Sequence, residues 1–279
     1  MTPTILRAIR IAAALAVFLL PASSCLGTGL YPLDVQSAFL LPSDSSELRV
    51  GFAHTDGRHN LFQQQDVNRR VSEVPSLALR FGLGTRVEGQ ISYSYLRLQR
   101  DGQETVWDSG DTRIAIKAAL LADCPGKPAT SIIFTSKLPN ADDGKDFGTD
   151  EADNFIELLA SKEISRVTLH LNLGIGILGA PGIEEGQDDL LTYGAGVIIP
   201  VGSGVSLLVG ASGMDYGQGV NRRGTLQAGL QIPLGKMTWD IGGAVGYVSG
   251  SEDWRVTTGL SLPFTTPPLL CPEPGTCSR

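Results

Sequence analysis

Apolar and polar residues alternate along most of this chain. From Arg166 to Leu178, Val167, Leu169, Leu171, Leu173, Ile175 and Ile177 are apolar, while Thr168, His170, Asn172, Gly174 and Gly176 are polar or small. A period of two over that length predicts a strand, because a helix repeats every ~3.6 residues. The pattern returns in Arg86 to Leu98, Gly224 to Leu234 and Trp254 to Phe264. Further strands are predicted at Glu47–Thr55, Pro75–Gly82, Asp111–Leu121, Ala129–Leu138, Asp153–Glu163, Asp189–Pro200, Val205–Gly213 and Met237–Ser249. That makes about twelve segments, most near the roughly nine to eleven residues that a tilted membrane strand needs. A soluble antiparallel sheet also alternates, so one strand alone does not separate membrane from water.

The connections separate them. Long polar stretches at Asp56–Val74, Gln99–Gly110, Pro139–Ala152, Gly179–Asp188 and Met214–Arg222 alternate with shorter links at Leu83–Thr85, Ala122–Pro128, Ile164–Ser165, Val201–Gly204 and Gly235–Lys236. Only the link near Gly250–Glu252 departs by being short. Bacterial outer-membrane barrels have long outer loops and short periplasmic turns. The expected fold is therefore all-β, a transmembrane antiparallel up-and-down barrel of about twelve strands over residues 47–264. An even strand number leaves both ends in the periplasm.

That register divides the side chains. The apolar sets face lipid. The polar sets face the lumen, where charge costs less than in hydrocarbon. The lumen-lining candidates are Arg49, Arg80, Glu88 and Gln90, then Arg113, Lys117 and Glu157, then His170, Asn172, Gln227, Gln231, Asp240 and Arg255. Their mixed signs predict pairing across strands. Tyr95, Tyr193, Trp239, Tyr247, Trp254 and Phe264 fall near strand ends on the outward set, as two interfacial aromatic girdles would require. Glycines crowd the later strands, including Gly194, Gly196, Gly210, Gly229, Gly242, Gly243 and Gly246. Inside a strand they mark bends or close approach.

The termini change the compartment. Arg7 and Arg10 precede an apolar run from Ile11 to Leu20, followed by Pro21 and Ala22-Ser23-Ser24. A run of about ten residues is too short to span a bilayer, so residues 1–24 read as an export signal with a small-residue cleavage site. Cys25 follows directly, so lipidation of Cys25 stands beside ordinary cleavage; Ala22 occupies the place where a lipobox usually has a larger aliphatic residue. Residues 25–46 form a periplasmic arm or a plug in the lumen. Residues 265–279 form a Pro- and Cys-containing periplasmic tail in which Cys271 and Cys277 could form a disulfide.

Composition and motifs narrow the chemistry. The net charge of -7 disfavours nucleic-acid partners, which need a basic surface. No C-x-x-C pair occurs among Cys25, Cys124, Cys271 and Cys277, so no structural metal is expected. The loop from Asn140 to Asp153 carries Asp142, Asp143, Asp146, Asp150, Glu151 and Asp153, but its spacing is not that of an EF-hand. It reads as a solvated acidic loop, with divalent-cation binding as the weaker reading. Gly82-x-Gly84 is a turn, without the helix that a nucleotide loop requires. His54 and His59 sit around the first outer loop. His170 lies mid-strand with Ser92, Ser94 and Ser131 as conceivable neighbours, and no motif selects a nucleophile among them. No enzyme activity and no cofactor are expected.

Several short stretches resemble a known family. Gly110-Asp111 opening a strand, Ser136-Lys137-Leu138-Pro139 before the acidic loop, Gly148-Thr149, Ser161-Lys162 and Leu169-His170-Leu171-Asn172-Leu173-Gly174 are similar to a bacterial outer-membrane family labelled for the MetA pathway of phenol degradation. A related barrel family of unknown function shares much of the layout. The resemblance covers roughly Leu48 to Phe264. It implies a barrel with a transport role and brings no catalytic residues. Phe264 at the end of the last strand resembles the signal read by the barrel-assembly machinery, although a Pro-rich tail follows it here. The expected function is passage of a small solute, apolar or aromatic in one version, through a narrow or partly plugged pore of the bacterial outer membrane. Its expected partners are outer-membrane lipids, the solute and the assembly machinery. The rival readings are a non-conducting structural or binding barrel and a barrel lipid hydrolase.

Overall fold

The structure is a computed structural model that describes residues 29–57, 69–145, 147–179, 187–215, 222–248 and 250–267. The described strands are β1 (Ser45–Asp56), β2 (Arg69–Gly82), β3 (Val87–Arg100), β4 (Val106–Ser109), β5 (Arg113–Leu121), β6 (Ala129–Lys137), β7 (Asp153–Ile164), β8 (Val167–Gly179), β9 (Gln187–Gly202), β10 (Val205–Asp215), β11 (Arg223–Leu234), β12 (Met237–Gly246) and β13 (Trp254–Thr265). Consecutive strands pair antiparallel, except that β4 and β5 both pair with β3, and β1 pairs with β13, which closes the wall. Closure leaves no free sheet edge, the condition for a β-structure to lie in hydrocarbon.

The wall is twelve strands round. β4 and β5 are two parts of one path beside β3. Ser92 pairs with Arg113 and Tyr95 with Ser109, so the register slips by one residue at 110–112. The Gly110 N–H donates to the Ser94 carbonyl across this bulge, at 2.8 Å. The stretch expected as a loop from Gln99 to Gly110 is therefore mostly a hairpin. Its strand portion, Val106–Ser109, is too short to show a period. β2 likewise begins at Arg69 rather than Pro75, because a register shift between Glu73 and Ser76 lets pairing continue past the proline. β12 stops at Gly246, not Ser249, so the last link is longer than the sequence suggested.

The strands are strongly staggered. One hydrogen-bonded row runs Ser46, Phe81, Gly89, Ile116, Phe134, Ile156, Ile175, Leu191 and Asp215. It starts at the end of the barrel with the tight turns and finishes at the end with the long loops. That drift is the tilt a closed barrel demands. By the loop rule, the loop end is the outer one.

Burial follows the predicted alternation. On β8, His170 and Asn172 are 2% and 7% exposed, whereas Leu171 and Leu173 are 59% and 56% exposed. On β1, Glu47 and Arg49 are buried, and Leu48, Val50 and Phe52 are exposed. A belt of large apolar side chains thus covers the outside, and polar side chains fill the inside. In water such a belt would be prohibitive; in a bilayer it is the required surface.

Candidate functional site: a half-filled lumen

The interior is occupied at its turn end by residues 29–44. This luminal segment enters beside Glu47, rises to Asp34 and returns past Leu41. Its backbone is held by inward side chains from around the wall. The Asp34 N–H donates to Gln227 Oε1 at 2.8 Å, the Gln36 N–H to Asn172 Oδ1 at 2.7 Å, the Ala38 N–H to Ser161 Oγ at 2.8 Å and the Leu41 N–H to Glu88 Oε2 at 2.7 Å. Its carbonyls accept from Gln231, Asn172, Lys117 and Ser131. An irregular segment shielded from water must satisfy its backbone groups in this way. Arg255 pairs with the Asp34 carboxylate.

Apolar contacts complete the seat. Leu30, Leu33 and Val35 pack on Leu208 with Ile198, and Ala38 and Phe39 pack on Ala115, Ile133 and Leu159. The facing wall is glycine at Gly229 and Gly242, where a Cβ would collide with Pro32. The glycines of β11 and β12 thus mark a close approach, the second of their expected roles.

Below and beside the segment lies a charged network. Arg49 forms a two-pronged pair with Asp240, at 2.8 and 2.6 Å, and its guanidinium lies 4.2 Å from the Tyr31 ring centre. Arg80 bridges Glu47 and Glu88, and Lys117 joins Glu88 at 3.1 Å. All these groups are nearly fully buried. His170 is buried too, its Nδ1 2.7 Å from Ser161 Oγ and its ring edge-on to Phe39. The Ser161 hydroxyl also accepts from the Ala38 N–H, and its proton or its second lone pair faces Nδ1. Nε2 has no partner among the described residues. A serine and a histidine therefore meet, but beneath the luminal segment. The serine is Ser161, not Ser92, Ser94 or Ser131.

Above Asp34 the lumen is open. A cavity of about 530 Å³ lies between the segment and the outer mouth, lined by Arg49, Arg80, Gln90, Arg113, Glu157, Asn172 and Arg255 among others. Apolar side chains share it: Leu33, Phe155 and Met214. The Arg113 side chain is exposed within the lumen and makes no hydrogen bond or ion pair among the described residues. Glu157 accepts from Thr192 at 2.9 Å. Gln227 and Gln231 bind the luminal segment.

Three comparisons set this geometry among known proteins. No protein-family profile matches the chain, and no curated protein matches it in sequence. Solved structures do match. An outer-membrane channel of the COG4313 group from Pseudomonas putida F1 superposes with a TM-score of 0.65 at 13% identity, over 84% of this chain and 99% of that one. The NanC porin superposes with a TM-score of 0.51 at 10% identity, over 78% of this chain and 98% of that one. The fold is that of an outer-membrane β-barrel. At such identity the likeness carries the architecture and no residue roles.

The barrel's outer mouth is shaped by the segment 138–152. Phe147 and Ala141 pack inside the extended β2–β3–β4 corner against Val71 and Leu98. Lys137 anchors the segment through Asp153 at 2.7 Å and Thr149 at 2.9 Å. Lys145 bonds to Asp108 and Asp142, which raises its pKa and, at the Asp108 end, helps to lower that carboxyl. Asp142 and Asp153 are thus engaged with lysines, and no cluster suited to a metal occurs among the described residues. Asp146 and His59 lie outside those residues, as do the export signal, Cys25, Cys271 and Cys277. Cys124 is exposed, with its thiol free, in the β5–β6 turn. Tyr95, Tyr247, Trp254 and Phe264 are exposed on the outer surface, and Trp239 and Tyr193 are half-buried there through bonds to Thr258 and Tyr247.

Sequence reasoning did not single out Glu47, Leu159 or Leu208, and it gave Ser161 no role in the lumen. Period two already put Glu47 beside Arg49 on the inward set. The buried leucines gave no such signal, because an inward leucine breaks the pattern.

Proposed function

We propose that this chain is a narrow channel of the bacterial outer membrane, regulated by its own luminal segment, for a small solute that pairs an apolar or aromatic body with a polar group. The observation that carries this reading is the half-filled lumen: an open, mixed polar and apolar cavity stacked on a non-strand segment held mainly by side-chain hydrogen bonds. Many of the bonds that hold the segment go to side-chain carboxylates, amides and hydroxyls, which water can replace if the segment withdraws. Phe155 and Met214 offer an apolar wall, and Arg113 and Glu157 offer polar contacts, so the cavity suits a solute with both characters. The test is planar-bilayer conductance of the purified barrel beside a form lacking residues 29–44, with heat-modifiable migration to show that both are folded. A larger, more continuous conductance in the shortened form is the expected result. A folded shortened barrel that passes no current would end the proposal.

The dense anchoring of residues 29–44 favours a second reading, a barrel that binds the solute without conducting it. Solute binding with no current from either protein would select that reading.

A further inference from the structure

The outer surface carries a charged group that neither the lumen nor the wall uses. On β3 the inward residues are Glu88, Gln90 and Ser92, so Arg97 shares the outward face with Tyr95. Counted from Val87 at the turn end, Arg97 lies ten residues up a tilted strand. A rise of roughly 2.5 Å per residue along the barrel axis places it at the upper edge of a hydrocarbon band about 25 Å tall. Its neighbours are those of an interface. Tyr95 stacks on Trp107, the Arg97 guanidinium carbon lies 5.8 Å from the Trp107 ring centre, and two strands away His54 leans on Trp254.

The Arg97 side chain makes no hydrogen bond or ion pair among the described residues; its one described side-chain interaction is with the indole. It is half-buried, with the Trp107 ring as its neighbour. On the same outward face, Arg70 pairs with Asp101, and His54 meets Ser72 opposite Arg97 in the ladder. An unpaired guanidinium at this depth faces headgroups, where a phosphate can accept two of its N–H bonds. Aromatic rings on either side would carry the first carbons of the chains.

We propose that Arg97, flanked by Trp107 and Tyr95, binds a phosphorylated headgroup of an outer-leaflet glycolipid. The site belongs to the outer surface and rests on the outer-membrane reading, not on conductance. The guanidinium takes the phosphate, the indoles take the glycerol or sugar level, and the position of Arg97 along β3 sets the depth.

The experiment uses the full chain, stripped of lipid in detergent, and measures bound lipid by native mass spectrometry. The probes are a phosphorylated outer-leaflet glycolipid and the same lipid after phosphatase treatment. The expected result is retention about fivefold greater for the phosphorylated form, lost in Arg97→Gln and largely kept in Arg97→Lys. Lys236→Gln, in the turn at the opposite end, should bind as the wild type does. Equal retention of the two lipids, or unchanged binding by Arg97→Gln in a barrel that still shows heat-modifiable migration, overturns the proposal. Displacement by tenfold excess inorganic phosphate also overturns it, since the site would then take a soluble anion. The same samples in planar bilayers separate the two ideas. A wild type that binds the lipid but carries no current defeats the channel and leaves this site standing.

Discussion

Asp240 is the residue on which the interior charges most visibly depend. Its carboxylate holds Arg49 by two bonds, and Arg49 in turn covers Tyr31 of the luminal segment. Removing one member of a buried pair leaves the other charge uncompensated, at a cost of about 3–5 kcal/mol. Asp240→Ala should therefore lower unfolding stability by that order, read as the urea midpoint of tryptophan fluorescence in lipid vesicles. The paired change Arg49→Met with Asp240→Leu should recover most of the loss, since an apolar pair removes both charges. Equal losses in the single and double variants would show that packing of the Arg49 guanidinium against Gly259 of β13, not charge, sets the cost. Arg113 gives the converse case. It is a lumen cation with no described partner, so it adds to the field that permeating ions meet. Arg113→Gln should shift the reversal potential in a salt gradient toward cation preference, with stability unchanged within about 0.5 kcal/mol. An unmoved reversal potential would place the ion path away from β5.

At the scale of elements, the sequence was readable wherever one face met lipid. A one-residue slip would invert every side chain of β8, putting His170 and Asn172 into hydrocarbon and leucines into the lumen, so its register is strongly specified. The lumen candidates share the inward face for the same reason. What was hidden lay where the pattern is short or broken. Val106–Ser109 offers two outward and two inward positions, too few to distinguish from a loop, and Pro75 disguised the bulge in β2. Glycine carried a signal without its meaning. Gly229 and Gly242 are bare because Pro32 passes against them, and Pro32 is remote in sequence. Gly229→Val should push the luminal segment off its seat, costing about 1–3 kcal/mol as an overpacked contact does. Its second effect should be a more continuous current. A destabilised barrel with wild-type conductance would mean that the segment yields locally while the path stays closed. The outer segment 138–152 gives a pH expectation. Lys145 holds Asp108 below its ordinary value, so that contact is present above the unperturbed carboxyl range and fails only as pH falls through the lowered one. The lysine, raised, loses its share only in strong base. Protease nicking of this segment should accordingly be flat from about pH 5 to pH 9 and rise in acid. A step near neutrality would point to a different anchor.

For the whole molecule, the division between a legible wall and an illegible lumen has one cause. The wall repeats a local rule twelve times, and each strand announces it independently. The luminal segment obeys no period, because its partners are spread over nearly the whole circumference, from Glu47 to Arg255, and only closure brings them together. Its length and apolar content could suggest a plug, but not that Gln36 would meet Asn172 or that Asp34 would mark the boundary of an open cavity. That boundary makes the coupling between segment and pore testable without deletion. Cysteines at Gln36 and Asn172, in a chain whose native cysteines are replaced by serine, would join positions whose backbone and side chain already hydrogen-bond in both directions. Oxidation should hold the segment in place and reduce conductance to that of the quiet state, and reduction should restore it within the same membrane. A disulfide shown by mass to have formed, with current undiminished, would mean that ions pass the segment while it is seated; the cavity would then lead to a fixed side passage rather than to a movable barrier.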